Sequence, residues 1–310
     1  MPLFNVTSIT PDPAISPTKP RTLWGEVWRR FRRDRMAVAG AIVLSLIVLA
    51  VLVGPLIYTT SANQIDFGQS AAPPSWEHPL GTNDLGQDQL ARILAGGRIS
   101  LTVGVTAMGV AMTVGVLIGA IAGFYGGLTD SLLMRLTDLF IALPQLPLLL
   151  LIIYLLRESM KAISGPEVGI FVLIVVVVGG LNWMSVARLV RANFLTTREQ
   201  DFVTAARAIG ARPQRLIWLH ILPNVLSPVI VAATLAVGNA IITESTLSFL
   251  GLGFPPDVPT WGRMLYDAQN YIETAPYMAL FPGAAIFLSV LSINFIGDGL
   301  RDALDPQSRR

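Results

Sequence analysis

Cysteine is absent from the chain, which removes a disulfide framework, a thiolate-bound zinc site and a thiol nucleophile from consideration. Histidine is almost absent: His78 and His220 stand alone, both in stretches that read as loops. His220 reads as a polar-face residue or helix-end donor rather than a ligand. Charge is scarce as well. Charged residues make up 14% of the 310 and hydrophobic ones 53%, whereas about a quarter of an ordinary soluble domain is charged. The formal net charge is +2, and apart from Lys19 and Lys161 the basic residues are arginines. No G-x-x-x-x-G-K-[ST] occurs, so ATP is not bound through that motif; H-E-x-x-H and G-x-S-x-G are missing too. Gly81 to Asp88 lacks the alternating acids and closing Glu of an EF-hand loop. The apolar runs are also poor in ionisable groups, each of which costs roughly 2.5–3.5 kcal/mol at a bilayer centre. Glu244, at the outer end of the fifth run, and Arg135 with Asp138, near the inner end of the third, come nearest. A transporter built this way must draw its energy from a partner.

What is present is hydrocarbon-compatible sequence in long blocks. Residues 1–20 are rich in Pro, Ser and Thr without periodicity and are expected to form a disordered tail. In 21–36, Trp24, Val27, Trp28 and Phe31 make an apolar helical stripe opposite Arg21, Arg29, Arg30, Arg32, Arg33 and Arg35. That pattern suits an interfacial helix on an anionic leaflet, or equally a charged flank to the first span. Residues 37–57 carry no charge and end at Gly54 and Pro55, long enough to cross a core of about 30 Å. The run is too long for the core of a cleaved signal peptide. A polar stretch at 58–97 follows, with Pro73, Pro74, Asp66, Glu77, Asp84 and Asp88. Further spans are expected at 98–124, 132–156, 168–190, 225–245 and 277–298.

The expected fold is therefore all-α, a polytopic membrane protein with about six transmembrane helices. Its divisions are the tail 1–20, an N-terminal segment 21–75, an extracytoplasmic loop 76–97, a membrane core 98–300 and a tail 301–310. Six spans put both termini on one side. Basic residues concentrate before the first span and at Arg188, Arg191, Arg198, Arg207, Arg212 and Arg215, with Arg301, Arg309 and Arg310 at the end. The intervening loops carry few, so both termini are expected to be cytoplasmic. Gly104, Gly109, Gly115, Gly119 and Gly123 favour close packing of the second span. Pro144, Pro147 and Pro228 read as kinks or as linings of a pathway.

The loop at 191–223 is a polar island in this chain. Phe202, Ala205, Ala206 and Ile209 fall on one helical face. Thr196 with Glu199 reads as a capping box, Gly210 with Pro213 as a stop, and Pro213 as the start of a second short helix ending before Pro223. A short helix with a small-residue face, outside the membrane, is suited to docking.

Phe202-Val-Thr-Ala-Ala-Arg-Ala-Ile-Gly210 followed by Ile221-Leu-Pro223 resembles the E-A-A…G…I-L-P loop of ABC-importer permeases. Other stretches narrow the resemblance to the C-type subunit of dipeptide and oligopeptide importers. They are the arginine-rich lead, His78-Pro-Leu-Gly-Thr-Asn-Asp-Leu-Gly-Gln-Asp88 with Arg98-Ile-Ser-Leu101, and Glu244-Ser-Thr-Leu-Ser-Phe-Leu-Gly-Leu-Gly253 with Pro259-Thr-Trp-Gly262. Gly297-Asp-Gly-Leu-Arg-Asp-Ala-Leu-Asp-Pro306 completes the set, and the match covers about 22–306. The resemblance implies a non-catalytic subunit of the cell membrane that pairs with a homologous B-type permease to enclose a path for peptides. It implies two ATPase subunits that use ATP and Mg, an extracytoplasmic substrate-binding protein, lipid around the spans, and no cofactor or nucleic acid on this chain. It places the ATPase-coupling helix at Phe202, Thr204, Ala205, Ala206, Ile209 and Gly210, with Leu222 and Pro223 fixing the exit into the fifth span. Thr204 stands where the family usually has the Glu of the motif, with Glu199 and Asp201 as nearby acids; Gln87 and Asn83 replace a usual Arg and Asp. The outer loop 246–276, with Pro255, Pro256, Trp261 and Tyr266, is either a contact for the binding protein or a packed lid.

Two other classes are weighed against this. An intramembrane enzyme needs paired polar groups at depth, and no convincing set is present. An ion-coupled secondary transporter calls for intramembrane acids and broken-helix repeats, which the scarcity of deep acids opposes. Within the family, a metal chelate or other small solute is an alternative cargo.

Overall fold

The computed structural model describes residues 23–304. The expected tail 1–20, residues 21–22, the side chains of Leu23 and Trp24 and residues 305–310 lie outside the described part. Among the described residues, regular structure is helical apart from one isolated bridge between Thr82 and Asp88.

The first helix, α1 (Leu23–Phe31), stacks Trp28 on Phe31 and carries the Arg32 guanidinium 4.8 Å from the Trp28 ring. It packs against the last helix of the chain. Asp34 then caps α2 (Arg35–Ile57), accepting from the backbone N–H of Met36 and Ala37 at 2.9 and 3.2 Å. Pro55 does not end this span as expected; it sits inside the helix. Its missing N–H leaves the Val51 carbonyl without a helical donor. Arg98 supplies one, donating from Nε to Val51 O at 2.9 Å and from Nη2 to Leu52 O at 2.8 Å.

Asp88 caps the third helix by accepting from Ala91 N–H at 2.7 Å, so α3 (Gln89–Tyr125) begins well before the expected residue 98. Residues 89–97 are its first turns, not the end of an outer loop. The expected third span at 132–156 is two helices, α4 (Gly127–Ala142) and α5 (Gln145–Ser164), bent by 87° at Pro144. The fourth is likewise α6 (Pro166–Gly180) and α7 (Trp183–Arg198). At that break Asn182 Nδ2 donates to Val178 O at 2.6 Å, and Gln145 Nε2 reaches Leu181 O at 3.3 Å. Next come α8 (Asp201–Ala208), the single turn α9 (Pro213–Arg215), α10 (Leu222–Phe249), α11 (Trp261–Ala268) and α12 (Tyr277–Leu304). Among the described residues, five stretches are long and apolar enough to cross a membrane, and the bent pair α4–α5 makes up to six. About six spans therefore stands.

Small residues set how closely the spans approach. A β-carbon on Gly115, Gly119 or Gly123 would lie 2.6, 2.5 or 2.6 Å from atoms of α7, so α3 and α7 touch along three turns. Gly109, on the same helix, has nothing within 4 Å of that position. Arg191 pairs with Asp130 through two hydrogen bonds and Arg188 pairs with Asp138, joining α7 to α4.

Gly119→Leu is expected to force α3 and α7 apart at a cost of about 1–3 kcal/mol for overpacking. The midpoint of thermal unfolding in detergent should fall, while Gly109→Leu stays near wild type. Equal midpoints for the two variants would contradict the packing described.

Candidate functional site

The end of the bundle where α3 and α7 finish and α10 begins carries the polar island. Arg198 closes α7 by donating from Nη1 to Gly123 O at 3.0 Å and Phe124 O at 3.3 Å. A cation on the last carbonyls of α3 also meets the negative end of that helix. The expected capping box at Thr196 and Glu199 does not form. Thr196 Oγ1 donates to Ala192 O one turn back within α7, and Glu199 binds Arg198 Nε at 2.9 Å. Gln200 occupies the N-cap of α8 without a side-chain cap bond.

The C-terminus of α8 behaves as the sequence predicts. Gly210 has φ +83°, with Ala211 N–H donating to Ala206 O at 3.1 Å and Gly210 N–H to Arg207 O at 3.0 Å. These are the paired bonds of a Schellman motif, which requires a left-handed residue at this point. Pro213 opens α9 as expected. The helix then does not stop before Pro223. Residues Leu216–Ile221 form a π-helical segment, Leu222 N–H reaches Ile217 O, and the chain runs straight into α10. Pro223 sits in the first turn of α10, and the wider π register precedes the position where its N–H is missing. His220 accordingly lies in this segment and not in a loop, its carbonyl accepting from Asn224 Nδ2 at 2.7 Å.

Val203 and Ala206 turn inward and pack with Phe194, Leu216, Ile217 and Ile221. Phe202, Thr204, Ala205 and Ile209 are exposed, Ile209 by 88% and Phe202 by 41%. Thr204 Oγ1 donates back to Gln200 O at 3.3 Å. The expected face of Phe202, Ala205, Ala206 and Ile209 therefore splits. Ala206 belongs to the buried side with Val203, because burying the valine side chain decides which way the helix rolls.

At the opposite end, segments 58–88 and 250–276 close over the helices. Arg92 is 1% exposed; its Nη1 donates to Gln87 Oε1 at 2.5 Å and its Nη2 lies 3.4 Å from Asp267. Asn83 Nδ2 donates to the same Gln87 oxygen at 2.8 Å, so a neutral pair stands beside the buried cation. Burial pushes the Asp267 carboxyl above its ordinary range, against the pull of Arg263 and Arg92. Asp88, besides capping α3, accepts from Tyr58 Oη at 2.7 Å and lies 2.7 Å from His78 Nδ1. The Tyr58 phenol is raised by burial and by that carboxylate. Glu244 is fully buried and accepts from Ser248 Oγ at 2.8 Å and Ser100 Oγ at 3.2 Å, while Ser100 Oγ accepts from Trp261 N–H at 3.2 Å. Trp261 is fully buried too, its indole N–H on Ile93 O at 3.1 Å. Its side chain is thus a core anchor of the lid and not part of an outer contact surface. Pro256 and Tyr266 are exposed and Pro255 is half-buried, with Arg263 4.4 Å above the Tyr266 ring.

The family model described as the binding-protein-dependent transport system inner membrane component matches residues 115–310. The chain belongs to that family. A second model, the N-terminal TM domain of oligopeptide transport permease C, matches residues 22–74. The permease is 38% identical over 305 residues to the dipeptide transport system permease protein DppC of Alkalihalophilus pseudofirmus, covering 97% of each chain. It is 39% identical over 296 residues to the glutathione transport system permease protein GsiD of Escherichia coli O6:K15:H31, covering 95% of this chain and 94% of that one. Among solved structures it matches a chain of the MetNI methionine ABC transporter in inward-facing conformations, with TM-score 0.52 and 16% identity. That match covers 69% of this chain and 96% of the other, and it supports the fold alone. The protein is an ABC-importer permease subunit, multi-pass in the inner membrane.

In this permease the expected coupling residues form one continuous feature: Phe202, Thr204, Ala205 and Ile209 on the open side of α8, Gly210 at its end, and Leu222 and Pro223 at the start of α10. Sequence reasoning missed Val203, whose position among small residues hides its packing role. It also missed Arg92 and Ser100, whose partners Gln87 and Glu244 come beside them only in the folded chain.

Ala206→Arg is expected to destabilise the permease by about 1–3 kcal/mol through overpacking, whereas Ala205→Arg should stay within about 0.5 kcal/mol. Thermal unfolding of the detergent-solubilised protein checks this, and equal losses would contradict the assigned inward face.

Proposed function

We propose that the permease imports peptides, enclosing half of the translocation path with a homologous B-type permease and coupling through α8 to cytoplasmic ATPase subunits. The observation that carries the reading is the apolar side of α8. Phe202 and Ile209 are exposed on a helix outside the spans, on a backbone held by Arg198 and by the turn at Gly210. An exposed, well-anchored apolar patch of this kind marks an interaction surface. Both solutes in the names of the two relatives, a dipeptide and glutathione, are peptides.

In this reading two ATPase subunits bind and hydrolyse ATP with Mg, and this chain holds neither. α8 rests on the π-helical segment, which continues into α10 without a break. A push on α8 as the ATPases close is therefore delivered to α10 as a rigid-body displacement. Pro255, Pro256 and Tyr266 at the other end face an extracytoplasmic substrate-binding protein. Both termini are cytoplasmic, and lipid surrounds the spans.

Ile209→Asp and Phe202→Asp should each reduce co-purification of the ATPase subunits and cut peptide uptake by about tenfold or more, the scale of an interface hot spot, without loss of membrane insertion. Full uptake with normal ATPase binding in both variants would refute the docking assignment. A reporter fused after Arg310 should be active on the cytoplasmic side; activity on the other side would overturn the orientation.

A further inference from the structure

Polar side chains within the spans mostly close on the protein itself. Thr102, Thr106 and Thr113 of α3 donate to carbonyls four residues back at 2.5, 2.7 and 2.8 Å, and Thr243 and Thr246 of α10 do the same at 2.8 Å. Such hydroxyls can face lipid because their donor is already used. The carboxamides of Asn182, Asn193 and Asn224 likewise donate four residues back, at 2.6, 2.8 and 2.7 Å.

Asn239 of α10 and Asn294 of α12 break the pattern. Both are exposed, and among the described residues neither carboxamide has a hydrogen-bond partner. Asn294 Oδ1 lies 3.8 Å from the β-carbon position of Gly238, the residue before Asn239, so both carboxamides stand at the same level of the α10–α12 pair. Beside them runs a groove of about 380 Å³ between α10, α11 and α12, lined by Ile242, Leu265, Phe287, Val290, Leu291 and Asn294. A carboxamide facing hydrocarbon carries its whole desolvation penalty, so lipid is not the neighbour of this face.

We propose that Asn239 and Asn294 line the translocation path and hydrogen-bond the backbone amides of the passing peptide, whose side chains enter the adjoining apolar groove. The inference rests on the peptide reading above and adds the contacts. A carboxamide offers one acceptor and two donors, matching the N–H and C=O that every peptide bond presents. Being neutral, it does not hold a charged terminus tightly enough to stall transit. The groove is apolar and open, so it accepts side chains without demanding one shape. It reaches Leu265 of α11, within the segment that closes the outer end, where cargo arrives. A partner permease helix seated on the same face is the competing occupant.

The test uses the complete importer with its binding protein in proteoliposomes, comparing wild type with the Asn239→Leu, Asn294→Leu double variant. Leucine keeps the volume and removes the polar atoms. Uptake of a dipeptide is expected to fall roughly three- to tenfold per carboxamide removed, the worth of a neutral hydrogen bond, with subunit co-purification unchanged. A dipeptide methylated at its amide nitrogen lacks the donor, so its uptake should be slow in wild type and should change less in the variant. Unchanged dipeptide uptake, or equal losses for the two dipeptides, would overturn the proposal. Loss of the partner permease on purification would assign the face to the subunit interface and also overturn it. Absence of peptide import by the wild-type complex would instead sink the peptide reading, and this proposal with it.

Discussion

In hydrocarbon a backbone N–H or C=O has no water to turn to, so each must be satisfied inside the protein. This constraint organises the permease. It explains why the described spans are helical and why their breaks are dressed by specific side chains. Arg98 covers the Val51 carbonyl that Pro55 leaves without a donor. Asn182 and Gln145 cover the break between α6 and α7. Arg198 takes up the terminal carbonyls of α3. Two of the arginines, Arg98 and Arg198, thus complete helices.

The loop that carries α8 is held by the same kind of local satisfaction. α8 is short and would not hold its shape alone. It is kept in place by Val203 and Ala206 on one side, the Schellman turn at Gly210, and a π-helical segment that passes into α10. The helix is continuous from Pro213 into α10, so the packing of α8 ties the exposed side chains of Phe202 and Ile209 to that span. Thr204 fits the arrangement without an acid, because its hydroxyl returns to Gln200 O and its backbone remains helical.

The end of the bundle opposite α8 is built differently, from polar groups buried against one another. Arg92 brings together Gln87 and Asp267, and Glu244 gathers hydroxyls from α3 and α10, with Ser100 bridging to the Trp261 backbone. Removing one member of such a set leaves the others desolvated and unpaired, which costs more than the bond itself. The neutral Asn83–Gln87 pair is consistent with this: it satisfies the guanidinium without adding a second buried charge.

Charge distribution and apolar run length by themselves determined the all-helical, roughly six-span class. The short helix and its stop at Gly210 followed from local spacing, and the expectation that it docks followed from a motif resemblance spread over the chain. These are local properties, read from period and composition. Only the tertiary structure decided that Ala206 faces inward, that α10 begins without a break after Pro213, that Trp261 is a core anchor, and that Arg92 and Glu244 have partners. Helix roll and ion pairing depend on contacts between residues far apart in sequence. Asn239 and Asn294 look ordinary in the sequence; they stand out only once the other asparagines and most of the threonines of the spans are seen to bond back to their own helices.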